Sequence, residues 1–272
     1  MKIYISADME GLSGVVSQKQ VCSGNKDYER ARRRMTKEVN AVINALFTEG
    51  VDEVVVNDSH SSMDNILIDE FDKRATLISG SPKPFSMMEG INSSFDAVFF
   101  VGYHGKPGTD KAIMDHTYSS STVYQTRING ISLSEAGING RLAGYYGVPV
   151  AFISGDQNAV KCGEEELINP EGVIVKESIG RTTARLFPFE EVVNRINEGV
   201  SRSLDKIDLL NPTTEEGQIN LEIDFNFTSM AEMAHLMPGT KKISGRTVAY
   251  SSDDFKEVFK AFRAMITLAA NI

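Results

Sequence analysis

The chain has 272 residues, 41% of them hydrophobic, with a formal charge of −9 and a pI near 5.1. That length carries one large domain or two smaller ones with an ample core. The acidic balance argues against nucleic acid or an anionic membrane surface as a partner, and no apolar run is long enough to span a bilayer. Cys22 and Cys162 make neither a disulfide framework nor a close metal pair, and Asp8 and Glu10 interrupt the apolar run that a leader peptide needs. The expected placement is a reducing cytoplasm.

Lys2-Ile3-Tyr4-Ile5-Ser6-Ala7 is apolar and partly β-branched, as suits a buried parallel strand. Asp8-Met9-Glu10-Gly11 follows where that strand should stop. In extended backbone, side chains two apart share a face, so Asp8 and Glu10 can converge on one point. Gly11 and Gly14 let the chain leave the strand end by an unusual path. Ligands of open α/β sheets sit at the carboxyl ends of the strands, and two acids there suit a hard cation or zinc. On this stretch alone, an Asp8 that merely caps a turn is an equally open reading.

Asp27 to Phe47 has helical spacing at Met35, Val39, Val42, Ile43 and Leu46, and Gly50 stops it. Val51 to Asn57 is a second buried strand that runs into Asp58-Ser59-His60. Strand, helix and strand make a βαβ unit, so His60 and Asp8 are expected at the same sheet edge. Ala75 to Ile78 is a short strand, and Asp96 to Val101 is a strongly apolar one ending in Gly102-Tyr103-His104-Gly105. Asp115-His116 falls in a polar loop, and Val123 to Ser132 reads as a hairpin around Asn129-Gly130. Ser134-Glu135 begins a helix through Tyr145, Val150 to Ile153 is a strand, and a helix near Ala159–Leu167 and a strand near Val173–Val175 complete a doubly wound pattern.

After about Arg185 the character changes. A helix over Phe189–Leu204 precedes one-sided alternation from Ile219 to Phe227, a short helix over Thr228–Leu236, a strand at Thr247–Ser251 and a closing amphipathic helix over Asp253–Ala270. The expected architecture is α/β, a mostly parallel doubly wound sheet over residues 1–185 with a smaller C-terminal α+β domain over 186–272.

Of four histidines, His60 and His104 fall at predicted strand ends beside Asp8 and Glu10, the nitrogen and oxygen donor set of a hydrolytic zinc site. Glu135 can join from the start of its helix, although a first-turn glutamate is favoured by the helix dipole in any case. Gly137, Gly140 and Gly144 read as close packing, Cys22 as inert, Arg32, Arg33 and Arg34 as a solvated helix face and His235 as structural. The chain has no His-Glu-x-x-His, Gly-x-Ser-x-Gly, Walker or Gly-x-Gly-x-x-Gly motif.

Ser6-Ala7-Asp8-Met9-Glu10-Gly11, Asn57-Asp58-Ser59-His60, Pro84-Phe85-Ser86-Met87-Met88-Glu89-Gly90 and Gly102-Tyr103-His104 resemble the signature blocks of the zinc-dependent D-aminopeptidase family. Ser134-Glu135-Ala136-Gly137 and Leu236-Met237-Pro238-Gly239 extend the resemblance over nearly the whole chain, in order. It implies a two-zinc site in which Asp8 bridges the metals, Glu10 and His60 complete one position, and His104 and Glu135 complete the other. His116 then matches the family's proposed catalytic histidine. The resemblance also implies a short-peptide substrate and a decameric ring of identical subunits with active sites facing an enclosed chamber. The chain departs from the family most at Gly105-Lys106-Pro107 and Ser119-Ser120-Ser121, where substrate is read.

The expected activity is therefore that of a metal-dependent aminopeptidase acting on short, D-residue-containing peptides. The same ligands would serve an amidase or a phosphoesterase, and the scarcity of basic residues beside them weighs against phosphate. A non-enzymatic alternative is an assembly subunit in which metal only holds the shape.

Overall fold

The computed structural model describes Met1–Ile272 and contains two sheets. The first has seven strands in the order β3-β2-β1-β4-β7-β8-β9. These are β1 (Lys2–Ala7), β2 (Glu53–Asp58), β3 (Thr76–Ile78), β4 (Ala97–Tyr103), β7 (Val150–Asp156), β8 (Glu171–Gly180) and β9 (Thr183–Leu186). All neighbours are parallel except β8 and β9. Side chains alternate across it: Ile3, Ile5, Phe99 and Val101 enter one core, and Tyr4, Val98 and Phe100 enter the other. Both faces are thus covered, which is why its strands are apolar without alternation.

Helices α2 (Lys26–Thr48) and α5 (Phe189–Asp205) pack together over the first face, joining Met35, Val39, Leu46, Ile196 and Val200 to that core. The other face meets α3 (Glu135–Tyr145) and the second sheet. That sheet is antiparallel, in the order β11-β12-β10-β5-β6, with β10 (Ile219–Phe225) at its centre. Its remaining strands are β5 (Val123–Ile128), β6 (Ile131–Ser132), β11 (Lys241–Lys242) and β12 (Thr247–Ser252). Ile219, Leu221, Ile223 and Phe225 point inward against α7 (Phe255–Ala269), whose Phe255, Phe259 and Phe262 close the core. Helix α4 (Gln157–Glu166) follows β7, and α1 (Gln18–Val21) and α6 (Thr228–Ala234) are short. No helix is long and apolar enough to cross a membrane.

The elements cross residue 185 in both directions. Strands β5 and β6 precede it yet belong to the second sheet, and α5 follows it yet packs on the first. The apolar strand near Val173–Val175 is longer than its sequence suggests, and the short antiparallel strand β9 was not legible. Strand β10 stops at Phe225 rather than Phe227, and Phe227 is exposed because the chain has already turned toward α6. Nor are all three arginines of α2 solvated. Arg33 is exposed, but Arg32 donates to the carbonyls of Asn65 (2.9 Å) and Asp64 (3.1 Å), and Arg34 stacks on Phe189.

Candidate metal centre

Register brings the site together. Ala7 pairs with Asp58 on one side and Val101 on the other, so β1, β2 and β4 end side by side. Asp8 N–H donates to Val101 O, Ser59 N–H to Ala7 O, and Gly11 N–H to Gly102 O, all at 2.8 Å. A β-carbon on Gly11 would lie 1.8 Å from Tyr103 O, so only glycine allows the loop to return this close to β4.

Asp8, Glu10, His60, His104 and Glu135 are all buried, and the structure draws them into one cluster. Asp8 lies at its centre with its two oxygens facing different histidines. Oδ1 is 3.2 Å from His60 Nδ1, and Oδ2 is 3.5 Å from His104 Nε2. Glu10 Oε2 approaches His60 Nδ1 at 2.9 Å, and Glu135 Oε2 approaches His104 Nε2 at 3.4 Å. His116 is half-buried; its ring stacks on that of His104 at 4.1 Å, and its Nε2 lies 3.6 Å from Glu135 Oε1. His235 is exposed, bonded to Thr240, and stays outside the cluster.

Three atoms of this cluster, Asp8 Oδ2, Glu10 Oε2 and His104 Nε2, are buried without a hydrogen-bond partner. Such groups are costly unless something else binds them. Zinc bonds of 2.0–2.1 Å place tetrahedral ligands about 3.3 Å apart, close to the 3.5 and 3.4 Å that separate His104 Nε2 from its two carboxylates. Two overlapping donor groups are compact enough for an ion: Asp8, Glu10 and His104, and His104, His116 and Glu135. The residues therefore fit metal.

The outward nitrogens are spoken for. His60 Nε2 bonds Val21 O at 2.8 Å, His104 Nδ1 meets Gly105 O at 3.1 Å, and His116 Nδ1 bonds Met114 O at 2.8 Å. Each carbonyl needs a proton on that nitrogen, which leaves His60 Nδ1, His104 Nε2 and His116 Nε2 as the lone-pair atoms. Charge is tightly coupled here. Burial and the charge of Glu10 push Asp8 up to about 7. Before any metal binds, burial opposes the cation of His104, yet Glu135 and Asp8 raise it to about 10, so a metal at Nε2 would displace a proton there; burial and the His104 charge lower His116.

Anchors that sequence reasoning missed hold this cluster in place. Lys176 on β8 is fully buried and donates to the carbonyls of Glu10 (2.5 Å), Leu12 (3.0 Å) and Val15 (2.6 Å), fixing the loop after β1. Asp58 accepts from the backbone N–H groups of Asn65 and Ile66, and Asn65 Nδ2 reaches His60 O at 2.6 Å. Lys83 donates to Asn57 Oδ1 and Asp58 O. Tyr118 N–H donates to Glu135 Oε1 at 2.6 Å. A lone lysine in the apolar run Val173-Ile174-Val175-Lys176 was the one available signal. Cys22, read as inert, is exposed and lines the cleft mouth together with Ser119, Ser120 and Ser121. The helix glycines do serve packing: a β-carbon on Gly140 would meet Leu167, and one on Gly144 would meet Thr213.

A buried carboxylate–histidine cluster at the carboxyl edge of a doubly wound sheet is the donor arrangement of the metallohydrolases. The family model described as D-aminopeptidase matches residues 1–264, and the chain belongs to that family. It is 38% identical to a D-aminopeptidase of Bacillus subtilis (strain 168) over 273 aligned positions, covering 99% of this chain and 98% of that one. A solved structure, described as the Zn-dependent D-aminopeptidase DppA from Bacillus subtilis, a self-compartmentalizing protease, matches with a TM-score of 0.97. That match covers 100% of this chain and 99% of the other at 38% identity.

Proposed function

We propose that this protein is a zinc-dependent D-aminopeptidase that removes the N-terminal residue of short peptides. The observation that carries the reading is the split orientation of Asp8, one oxygen toward His60 and the other toward His104. In this reading Asp8, Glu10, His60, His104 and Glu135 would hold two zinc ions, with Asp8 contributing to both, Glu10 and His60 to one, and His104 and Glu135 to the other. Zinc so held would supply a water acidic enough to attack at neutral pH and a Lewis acid for the scissile carbonyl.

The chain's own groups do the rest. The Met114 carbonyl holds the proton of His116 on Nδ1, so Nε2 takes a proton from the attacking water and returns it to the leaving amine. Burial favours the neutral imidazole that this role needs.

Because a relative is described as self-compartmentalizing, we extend the reading to a homo-oligomer, a decameric ring that admits short peptides to enclosed sites. The two unpaired cysteines suit a reducing, cytoplasmic compartment. The test is elemental analysis of metal-replete protein alongside parallel assays on D- and L-aminoacyl substrates, amides and phosphoesters, with light scattering for mass. Two zinc ions per chain and preferential D-aminoacyl cleavage are expected. Metal-free protein, or turnover confined to phosphoesters, would overturn the assignment; a monomer would overturn the ring.

A further inference from the structure

Helix α4 ends in Glu166, a buried acid outside the carboxylate–histidine cluster. Its two oxygens are divided between two loops. Oε1 accepts from Lys106 Nζ at 3.0 Å, and Oε2 accepts from the backbone N–H of Ser134 at 2.8 Å and from its hydroxyl at 2.6 Å. Each loop delivers one residue of the cluster: Lys106 stands two residues after His104, and Ser134 immediately precedes Glu135. His104 Nε2 and Glu135 Oε2, 3.4 Å apart, belong to the same proposed zinc position.

The Ser134 hydroxyl has a fixed sense. It donates to Glu166 and accepts from Gly137 N–H at 3.2 Å as the cap of α3, so the carboxylate holds the first turn of the helix on which Glu135 sits. A β-carbon on Gly137 would lie 2.3 Å from Glu166 Oε2, so the glycine makes room for that carboxylate. A buried ion pair adds little stability over well-packed apolar groups, and removing one partner strands the other charge. What the Glu166–Lys106 pair does add is a fixed spacing between two loops that are far apart in sequence. Glu10 and His60 rest on other supports: Lys176 holds the loop of Glu10, and Asn65 holds the His60 carbonyl. The two sets of supports share no residue.

We infer that Glu166 is a positioning residue for one of the two zinc positions, the one formed by His104 and Glu135, and that each position depends on its own support. This rests on the two-zinc reading above and deepens it. Without the Glu166 carboxylate the Lys106 and Ser134 loops are no longer tied, His104 and Glu135 lose their spacing, and that ion leaves first. Asp8 stays with Glu10 and His60 and keeps the other.

The experiment counts zinc per full-length chain by elemental analysis across buffers of fixed free zinc. Glu166→Gln keeps the size of the side chain and removes its charge. It should weaken one position about 10- to 100-fold, as for other groups that orient metal ligands, and leave the other unchanged. At free zinc between the two affinities, wild type should hold two ions and the variant one. Lys106→Met, at the half-buried end of the pair, should reproduce the effect with less risk to folding. Two backgrounds identify the position. Added to Glu10→Gln, Glu166→Gln should remove the remaining ion; added to Glu135→Gln, it should leave the count as it was. Two ions retained by both single variants, both ions lost together, or the same further loss on both backgrounds would overturn the inference. So would a lower melting temperature with an unchanged count, which would make the pair a brace for the fold alone. The count does not depend on turnover. Wild type that holds two ions without cleaving peptides would therefore overturn the peptidase reading alone, and wild type that holds none would overturn both.

Discussion

Along the carboxyl edge of the first sheet, Asp8 Oδ2, Glu10 Oε2 and His104 Nε2 are buried without hydrogen-bond partners, whereas in the second sheet the one such atom is Thr126 Oγ1. The second sheet otherwise settles its charges. Arg127 reaches Glu222 at 3.0 Å and Asp224 at 2.7 Å, and Thr247 Oγ1 completes Asp224 at 2.7 Å. An isolated unsatisfied hydroxyl is a small cost carried by the fold. Three unsatisfied donor atoms within one cluster, two of them on the loop that Lys176 holds in place, describe a site that waits for something to bind. The edge of the first sheet is thus built for a ligand and the second sheet for packing.

The sharpest way to break that contrast is at its centre. Asp8→Asn keeps the shape but removes the charge shared by both proposed zinc positions. It should lose more metal than Glu10→Gln, with activity reduced by more than the roughly 10⁴-fold upper figure for one proton-transfer group. Elemental analysis on both variants checks it, and equal retention by the two would remove Asp8 from the bridging role.

His116 tests the boundary between ligand and chemistry, because His104, His116 and Glu135 also stand close enough to hold an ion together. In the proposed mechanism His116 moves a proton, so His116→Ala should keep its metal, fold and assembly while kcat falls roughly 10²–10⁴-fold. Metal content and kinetics on one preparation decide. Near-normal turnover would remove His116 from the mechanism, and lost metal would make it a ligand.

The anchors come next in size. Lys176→Met strands three buried carbonyls, at about 1–3 kcal/mol each, and frees the loop that carries Glu10. Thermal unfolding should show a loss of about 3 kcal/mol or more, and zinc affinity should fall about 10- to 100-fold, as for groups that position metal ligands. Ile223→Ala, in the centre of the second sheet, should cost a similar 2–5 kcal/mol or so and leave metal content unchanged. If both variants lost metal equally, the two regions would not be separable into a ligand site and a packing layer.

How much of this was legible depended on whether the signal was local. The strand ends at Asp8, His60 and His104 could be read because each apolar run stops at a charged or imidazole residue, and a βαβ order puts such ends on one edge. The hairpin at Asn129-Gly130 was equally local, and both residues take the positive φ that its turn requires. The pairing of that hairpin with β10, almost a hundred residues later in the chain, left no local mark, so the hairpin was counted with the first sheet. Lys176 was missed for the same reason, because it works through carbonyls on a loop far back in the chain.

The smallest prediction runs the contrast in reverse. Thr126 lies opposite Ile223 in the β5–β10 ladder and is fully buried, with its hydroxyl unpartnered. Its backbone is already paired, since Thr126 O accepts from Leu133 N–H at 3.1 Å. Thr126→Val exchanges that hydroxyl for a methyl of similar shape and keeps the β-branch that suits a strand. Removing a buried polar atom that makes no bond relieves its desolvation cost, so stability should rise by about 1 kcal/mol. A higher denaturant midpoint at constant slope, with unchanged metal content and activity, is the expected result. The same logic applied at the first sheet's edge predicts the opposite, because Asp8 and Glu10 are unsatisfied for a reason that the ligand supplies. A Thr126→Val variant less stable than the parent would show that the hydroxyl has a partner after all, and the distinction between the two kinds of unsatisfied atom would then have to rest on charge alone.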